Sequence, residues 1–183
     1  MIGNILAGIY GRGPGVGDFE SIATVVVGAG NATEINFTAI PGTFQHLQIR
    51  AMARNTSGTS DARYQFNGDT GSNYAWHLLV GNGSSANAFN GTSQTSFRGA
   101  GYTVYVASST INGVGITDIL DYKDTNKYKT ARTLLGSDTN GGGELQYYSG
   151  LWMNTAAITS IKITPSTGSF AQYSHFALYG IKG

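Results

Sequence analysis

The sequence predicts an all-β protein: an antiparallel β-sandwich of jelly-roll type, with about ten strands and a short N-terminal arm. Three observations predict it. Apolar and polar residues alternate with period 2 in several short runs, the pattern of strands with one buried and one wet face. Between these runs Gly, Asn, Ser and Thr collect, where turns need positive φ or local side-chain hydrogen bonds. The 27 Gly in 183 residues are about twice the usual share of ≈ 7%. No run carries the 3.6-residue period of an amphipathic helix.

The elements follow in chain order. Residues 1–17 form the arm, and the sandwich domain spans 18–183. The arm holds Ile2, Ile5, Leu6, Ile9 and Tyr10, then Gly11, Gly13, Gly15 and Gly17 around Arg12 and Pro14. It lacks the charged start of a signal peptide and is too short to span a membrane. Ile22 to Val27 is a β-branched run stopped by Gly28 to Asn31, and Glu34 to Ile40 alternates as far as Pro41-Gly42. From His46 to Arg54, Leu47, Ile49, Ala51 and Ala53 share one face. Ala62, Tyr64 and Phe66 then alternate with Arg63, Gln65 and Asn67. Tyr74 to Val80 is apolar on both faces, which places it in the middle of a sandwich. Asn82 to Gly101 is rich in Ser, Asn and Gly and reads as a long loop. Further strands are expected at Tyr102 to Ala107, Gly115 to Tyr122 and Tyr128 to Leu135. After the turn Asp138 to Gly143 come Glu144 to Met153, Ile158 to Thr164 and His175 to Ile181.

Composition narrows the function classes. A net charge of +1 gives no electrostatic footprint for nucleic acid or an anionic membrane. There is no Cys, so disulfides, thiolate metal sites and cysteine nucleophiles are excluded. Only 11% of residues are charged, against roughly 25% in an average domain. Low charge, many aromatics and no disulfide leave apolar surface to be covered, which points to a homo-oligomer.

The chemistry-bearing residues are sparse. His46, His77 and His175 sit in expected strands with no metal-ligand spacing. The acids are scattered; Asp118, Asp121 and Asp124 lie together, but Lys123, Lys127 and Lys129 neighbour them as a solvated cluster at a strand end. A glycosidase needs two facing carboxylates, and no G-x-S-x-G elbow is present. No catalytic residue, metal ligand or cofactor is therefore assigned. The loop Asn67-Gly68-Asp69-Thr70-Gly71-Ser72-Asn73 places Asn67, Asp69 and Asn73 as a candidate ligand loop. It has one carboxylate and no distal Glu, so an Asx-rich turn is the better reading than a calcium loop. Tyr147, Tyr148 and Trp152 offer a sugar-stacking platform, although their alternation with Leu145 and Leu151 fits core packing as well or better.

Several blocks together resemble a family of small β-sandwich proteins of tailed-bacteriophage particles. They are FESIATVVVG (19–28), FQHLQIRAMAR (44–54), RYQFNGDTGSNYAWHLLVGNG (63–83), DILDYKDTNKYKT (118–130), SGLWMNTAAITSIKITPSTGSF (149–170) and FALYGIKG (176–183). The resemblance implies a virion component, made in the host cytoplasm and carried on the particle surface, and it implies no reaction. Two placements follow. One is a cement or decoration protein on the head, bound to the major capsid protein, with a homotrimer expected by analogy with cement proteins at threefold positions. The other is a tail-fibre or receptor-binding module that recognises a host glycan. A depolymerase is a third reading, without a carboxylate pair to support it. On the cement reading the arm is the anchor, with Ile2, Ile5, Leu6, Ile9 and Tyr10 as apolar contacts and Arg12 as a polar one.

Overall fold

A computed structural model describes residues 17–58, 60–105 and 110–183, with no side chains described at 60 and 100–105. The arm positions from Ile2 to Arg12 lie outside the described residues. Among those described there are twelve strands and no helix. They are β1 (Phe19–Val26), β2 (Ile35–Phe37), β3 (His46–Asn55), β4 (Ser60–Phe66), β5 (Tyr74–Gly81) and β6 (Ala86–Gln94). The rest are β7 (Phe97–Tyr105), β8 (Gly113–Leu120), β9 (Lys129–Asp138), β10 (Gly143–Trp152), β11 (Ile161–Pro165) and β12 (His175–Ile181).

The pairing shows a jelly roll with an addition. Eight strands pair outermost with outermost: β1 with β12, β2 with β11, β3 with β8 and β4 with β7, all antiparallel. That is a long antiparallel ribbon folded over on itself, which yields the double-sheet jelly roll. One sheet runs β1-β12-β3-β8 and the other β2-β11-β4-β7. The remaining four strands come from two hairpins, β5–β6 and β9–β10, inserted before β7 and before β11. Both add to the free side of β8, in the order β8-β9-β10-β5-β6. The first sheet thus grows to eight strands while the second keeps four. A two-residue parallel bridge, Arg54 with Val104 and Asn55 with Tyr105, ties β3 to β7.

The core lies between the sheets. The alternation of β3 buries Leu47, Ile49, Ala51 and Ala53, as the sequence predicts, and β4 buries Ala62, Tyr64 and Phe66. Tyr64 stacks on Phe97 at 5.5 Å, and Phe66 meets Trp152 edge-on at 5.6 Å. Glycines admit these rings. A Cβ on Gly150 would stand 2.2 Å from the Phe97 ring, so β7 packs under β10 only because position 150 carries no side chain. The Tyr64 hydroxyl donates to Thr117 Oγ1 at 2.8 Å, and Thr117 Oγ1 lies 2.8 Å from Thr133 Oγ1. This buried polar chain is satisfied and fixes the register of the small sheet on the large one. Burial holds the Tyr64 phenol well above its ordinary pKa, which the Thr117 bond only partly offsets.

Four expectations are corrected. There are twelve strands, because the stretch expected as a loop at Asn82 to Gly101 contains β6 and the start of β7. Its Ala-Asn-Ala-Phe-Asn-Gly pattern is too polar to read as a strand; pairing with β5 makes it one. The segment Tyr74 to Val80 is not in the middle of the sheet. β5 stands next to the edge, burying Tyr74, Trp76 and Leu78 while exposing His77 and Leu79. Tyr102 to Ala107 is only partly matched, since β7 runs from Phe97 to Tyr105 and 106–109 are outside the described residues. Lys129 is no surface charge: it is buried, and its ammonium donates to the carbonyls of Asp124, Lys127 and Thr155 at 2.5, 2.9 and 2.9 Å.

Candidate functional site

The site is built from the outer face of the eight-stranded sheet. Opposite residues of an antiparallel pair point to the same face, so the register arranges the outer residues in rows across the strands. One row runs Arg50, Ile116, Leu134, Tyr147, Leu79 across β3, β8, β9, β10 and β5. The next runs Met52, Val114, Gly136, Leu145, Gly81. The row on the other side is polar: Gln48, Asp118, Arg132, Ser149, His77. The face is therefore banded. Seven large apolar side chains, Met52, Leu79, Val114, Ile116, Leu134, Leu145 and Tyr147, lie side by side with 43–61% of their surface exposed. A jelly roll normally turns polar residues outward on such strands, and contiguous apolar surface on a folded protein marks an interaction site.

The hairpin β9–β10 shapes one end of this band. Thr139 N–H donates to the Gly142 carbonyl at 2.8 Å, and Asn140 N–H donates to Asp138 Oδ1 at 2.7 Å. Gly143 follows at φ +149°, where a Cβ would meet the Ser137 carbonyl at 2.3 Å. Only glycine brings the two strands this close at the turn. Between the turn and the sheet lies a concavity of ≈ 1040 Å³. Its apolar lining comes from Val114, Ile116, Leu134 and Leu145, and its polar lining includes Asn82, Asp138 and Glu144. On the far side of the band the Arg50 guanidinium sits over the rings of Phe19 and Tyr179, at 5.1 and 5.5 Å. That contact sets the guanidinium beside β1 and β12, and Arg50 also lines the concavity.

The loop singled out in the sequence, with Asn67, Asp69 and Asn73, closes the opposite end of the molecule. Asp69 accepts from Gly71 N–H at 2.8 Å, from Asn73 Nδ2 at 3.0 Å and from the indole N–H of buried Trp152 at 2.7 Å. Burial pushes the Asp69 carboxyl upward, but these donors outweigh it and hold the group below its ordinary value. Asn67 accepts from Thr159 N–H and Ser160 N–H through Oδ1 and donates to the Ala157 carbonyl. The Tyr74 hydroxyl donates to the Asp69 carbonyl at 3.1 Å and accepts from Phe66 N–H at 3.0 Å; burial raises its pKa to about 12. This is an Asx turn locking β4 to β5 and both to β10.

The remaining sequence candidates are dispersed. Tyr148 and Trp152 are buried and Tyr147 points to the opposite face, so the three form no shared platform. Asp118 takes a bond from Gln48 at 2.8 Å. Asp121 is held by Gln45 and Lys127, and those two bonds hold its carboxyl below the ordinary value. Among the described residues no three His, Cys, Asp or Glu side chains form a metal-sized group. The apolar band escaped the sequence reading because Leu134-Leu135 and Leu145 to Tyr148 mix inward and outward apolar residues. The signal lies in the outward positions alone: β8, β9 and β10 carry Val114 and Ile116, Leu134, and Leu145 and Tyr147 there, beside the polar Asp118, Arg132 and Ser149. Comparison of the chain with protein-family models, with curated proteins and with solved structures finds no match.

Proposed function

We propose that this protein is a non-enzymatic structural component of a tailed-phage particle: a capsid cement protein that binds the head surface and stabilises it. The observation that carries this reading is the apolar band on the outer face of the eight-stranded sheet. Such a face suits a flat protein–protein contact and offers no reacting groups. Its strength can be bounded. Covering about half of each side chain contributes roughly 1 kcal/mol, half of the full-burial figure for such residues. Seven give on the order of 5–10 kcal/mol, comparable with the roughly 4–15 kcal/mol that association costs. One copy alone therefore binds weakly. Stable decoration needs further contacts: the arm, through Ile2, Ile5, Leu6, Ile9, Tyr10 and Arg12, and several linked copies acting together. The major capsid protein is the partner this reading names.

A second reading, a receptor-binding module for a host glycan, is supported by the concavity, where Asn82, Asp138 and Glu144 provide polar groups beside an apolar floor. Two readouts separate the two, binding to particles and binding to glycans, because Leu134 lies in the band and also lines the concavity. Leu134→Lys places a charge at the centre of the band, on a residue 52% exposed. The cement reading expects an unchanged melting temperature and loss of binding to undecorated particles. Full-occupancy decoration by Leu134→Lys would refute it. Specific binding on a glycan array, lost in Asp138→Ala, would favour the receptor reading instead.

A further inference from the structure

Three strands of the described structure, β1, β2 and β6, pair on one side only, and they are not alike; β7, the fourth sheet edge, is tied to β3 by its two-residue bridge. Exposed edges offer unpaired N–H and C=O groups to other strands, and folded proteins blunt them by shortness, charge, proline or bulges. β2, at one edge of the small sheet, is three residues long and flanked by Glu34. β1, at one edge of the large sheet, has a register shift between Ser21 and Ala23 and carries the Glu20–Lys182 ion pair at 2.5 Å. β6, at the other edge, has none of these guards along Ala86 to Gly91. Those six residues pair with β5 in unbroken register, and the irregularity at Ser93, with φ +53°, lies beyond them. No charged residue and no proline occur between Asn82 and Phe97. Every residue from Ala86 to Asn90 is exposed, so neither face hinders approach of another strand.

We propose that β6 pairs antiparallel with β6 of a second copy, about a twofold axis at Phe89, joining two eight-stranded sheets into one. A twofold contact needs a strand complementary to itself. Residues directly opposite must share a face, so an axis at Phe89 sets Phe89 against its own copy, Ala88 against Asn90 and Asn87 against Gly91. This places the one large apolar side chain of the strand, 54% exposed in the single chain, against an aromatic partner, a favourable cross-strand pair. No like charges meet anywhere along the contact. The opposition of Asn87 to Gly91 also leaves room on the crowded inner side, where a Cβ at 91 would stand 2.6 Å from the Trp76 ring. The proposal is independent of the particle reading and of the apolar band. It replaces the threefold assembly expected by analogy with a dimer unit.

The test is sedimentation velocity of the full chain over a micromolar concentration series, with Phe89→Lys, Asn87→Lys and Leu134→Lys alongside. The wild type should sediment as a dimer. Phe89→Lys sets two like charges directly opposite each other at the axis and should raise the dissociation constant about tenfold or more. Asn87→Lys, which faces Gly91 of the second copy, should have the smaller effect. Leu134→Lys should remain dimeric. Amide exchange of the wild type should show protection in Ala86 to Gly91 that is lost on dilution, a readout independent of how the variants fold. A wild-type monomer across the series, a trimer indifferent to the β6 substitutions, or exchange in β6 that does not depend on concentration would each overturn the proposal.

Discussion

Replacing Asp69 by Ala tests whether its loop is a structural lock. The substitution removes the acceptor of three donors, and the critical one is the indole N–H of Trp152, whose side chain is 1% exposed. A buried donor left without a partner costs about 1–3 kcal/mol. The Gly71 and Asn73 bonds lie nearer solvent, where water replaces much of what is lost. The total expected is about 2–4 kcal/mol. For a domain of this size each kcal/mol moves the melting temperature by about 2–4 °C, so the fall should be on the order of 5–15 °C. The pH dependence follows from the same bonds. A carboxyl held below its ordinary value of 3.8 stabilises the fold at pH values above 3.8. That contribution is lost as the pH falls through its lowered folded-state value. Asp69→Asn should therefore flatten the acid side of the stability profile relative to the wild type. Thermal melts followed by tryptophan fluorescence, with and without EDTA, read all of this. An Asp69→Ala melt within a degree of wild type would refute the lock, and a fall of many degrees on adding EDTA to the wild type would show that the loop holds a cation.

Three further outcomes are expected. Lys129→Ala should destabilise by about 2–4 kcal/mol in a denaturant titration, because the carbonyls of Asp124, Lys127 and Thr155 lose their shared donor. Gly150→Ala should cost about 1–3 kcal/mol or more by driving a methyl into the Phe97 ring, whereas Gly28→Ala, with nothing within 4 Å of its Cβ position, should be neutral or slightly stabilising. Deleting residues 2–17 should leave the melting temperature unchanged and abolish binding to particles; unfolding of the truncated chain would show instead that the arm belongs to the domain.

The parts of the fold legible in the sequence are those whose two faces differ. β3 from Leu47 to Ala53 and β4 from Ala62 to Phe66 alternate cleanly because one side meets the core and the other water; the alternation breaks at Arg54, which the period places on the wet face and the structure buries. β12 is bounded at His175 and Ile181, although Phe176, Ala177 and Leu178 bury both of its faces there. β6 was missed because it has no buried face: its residues are held by backbone pairing to β5 alone, and backbone bonds leave no mark in a hydropathy pattern. β5 was placed in the middle of the sheet because it is apolar on both sides. Outward Leu79 instead belongs to the exposed band, so the pattern signalled an interface rather than depth. Lys129 was read with its charged neighbours, since three carbonyls converging from Asp124, Lys127 and Thr155 depend on a contact 26 residues away in the chain. The Asx turn at Asp69 was legible because its bonds to Gly71 and Asn73 are local; its clasp on Trp152, 83 residues away, was not.

The most direct measurement is a reconstruction, at a resolution that traces strands, of the particle to which the proposed function assigns this chain. The proposed function predicts twelve-stranded density on the outside of the head, with the face bearing Leu134, Leu145 and Tyr147 covered by a neighbouring protein. Density for this chain at the tail tip, or on the head with that face open to solvent, would contradict it.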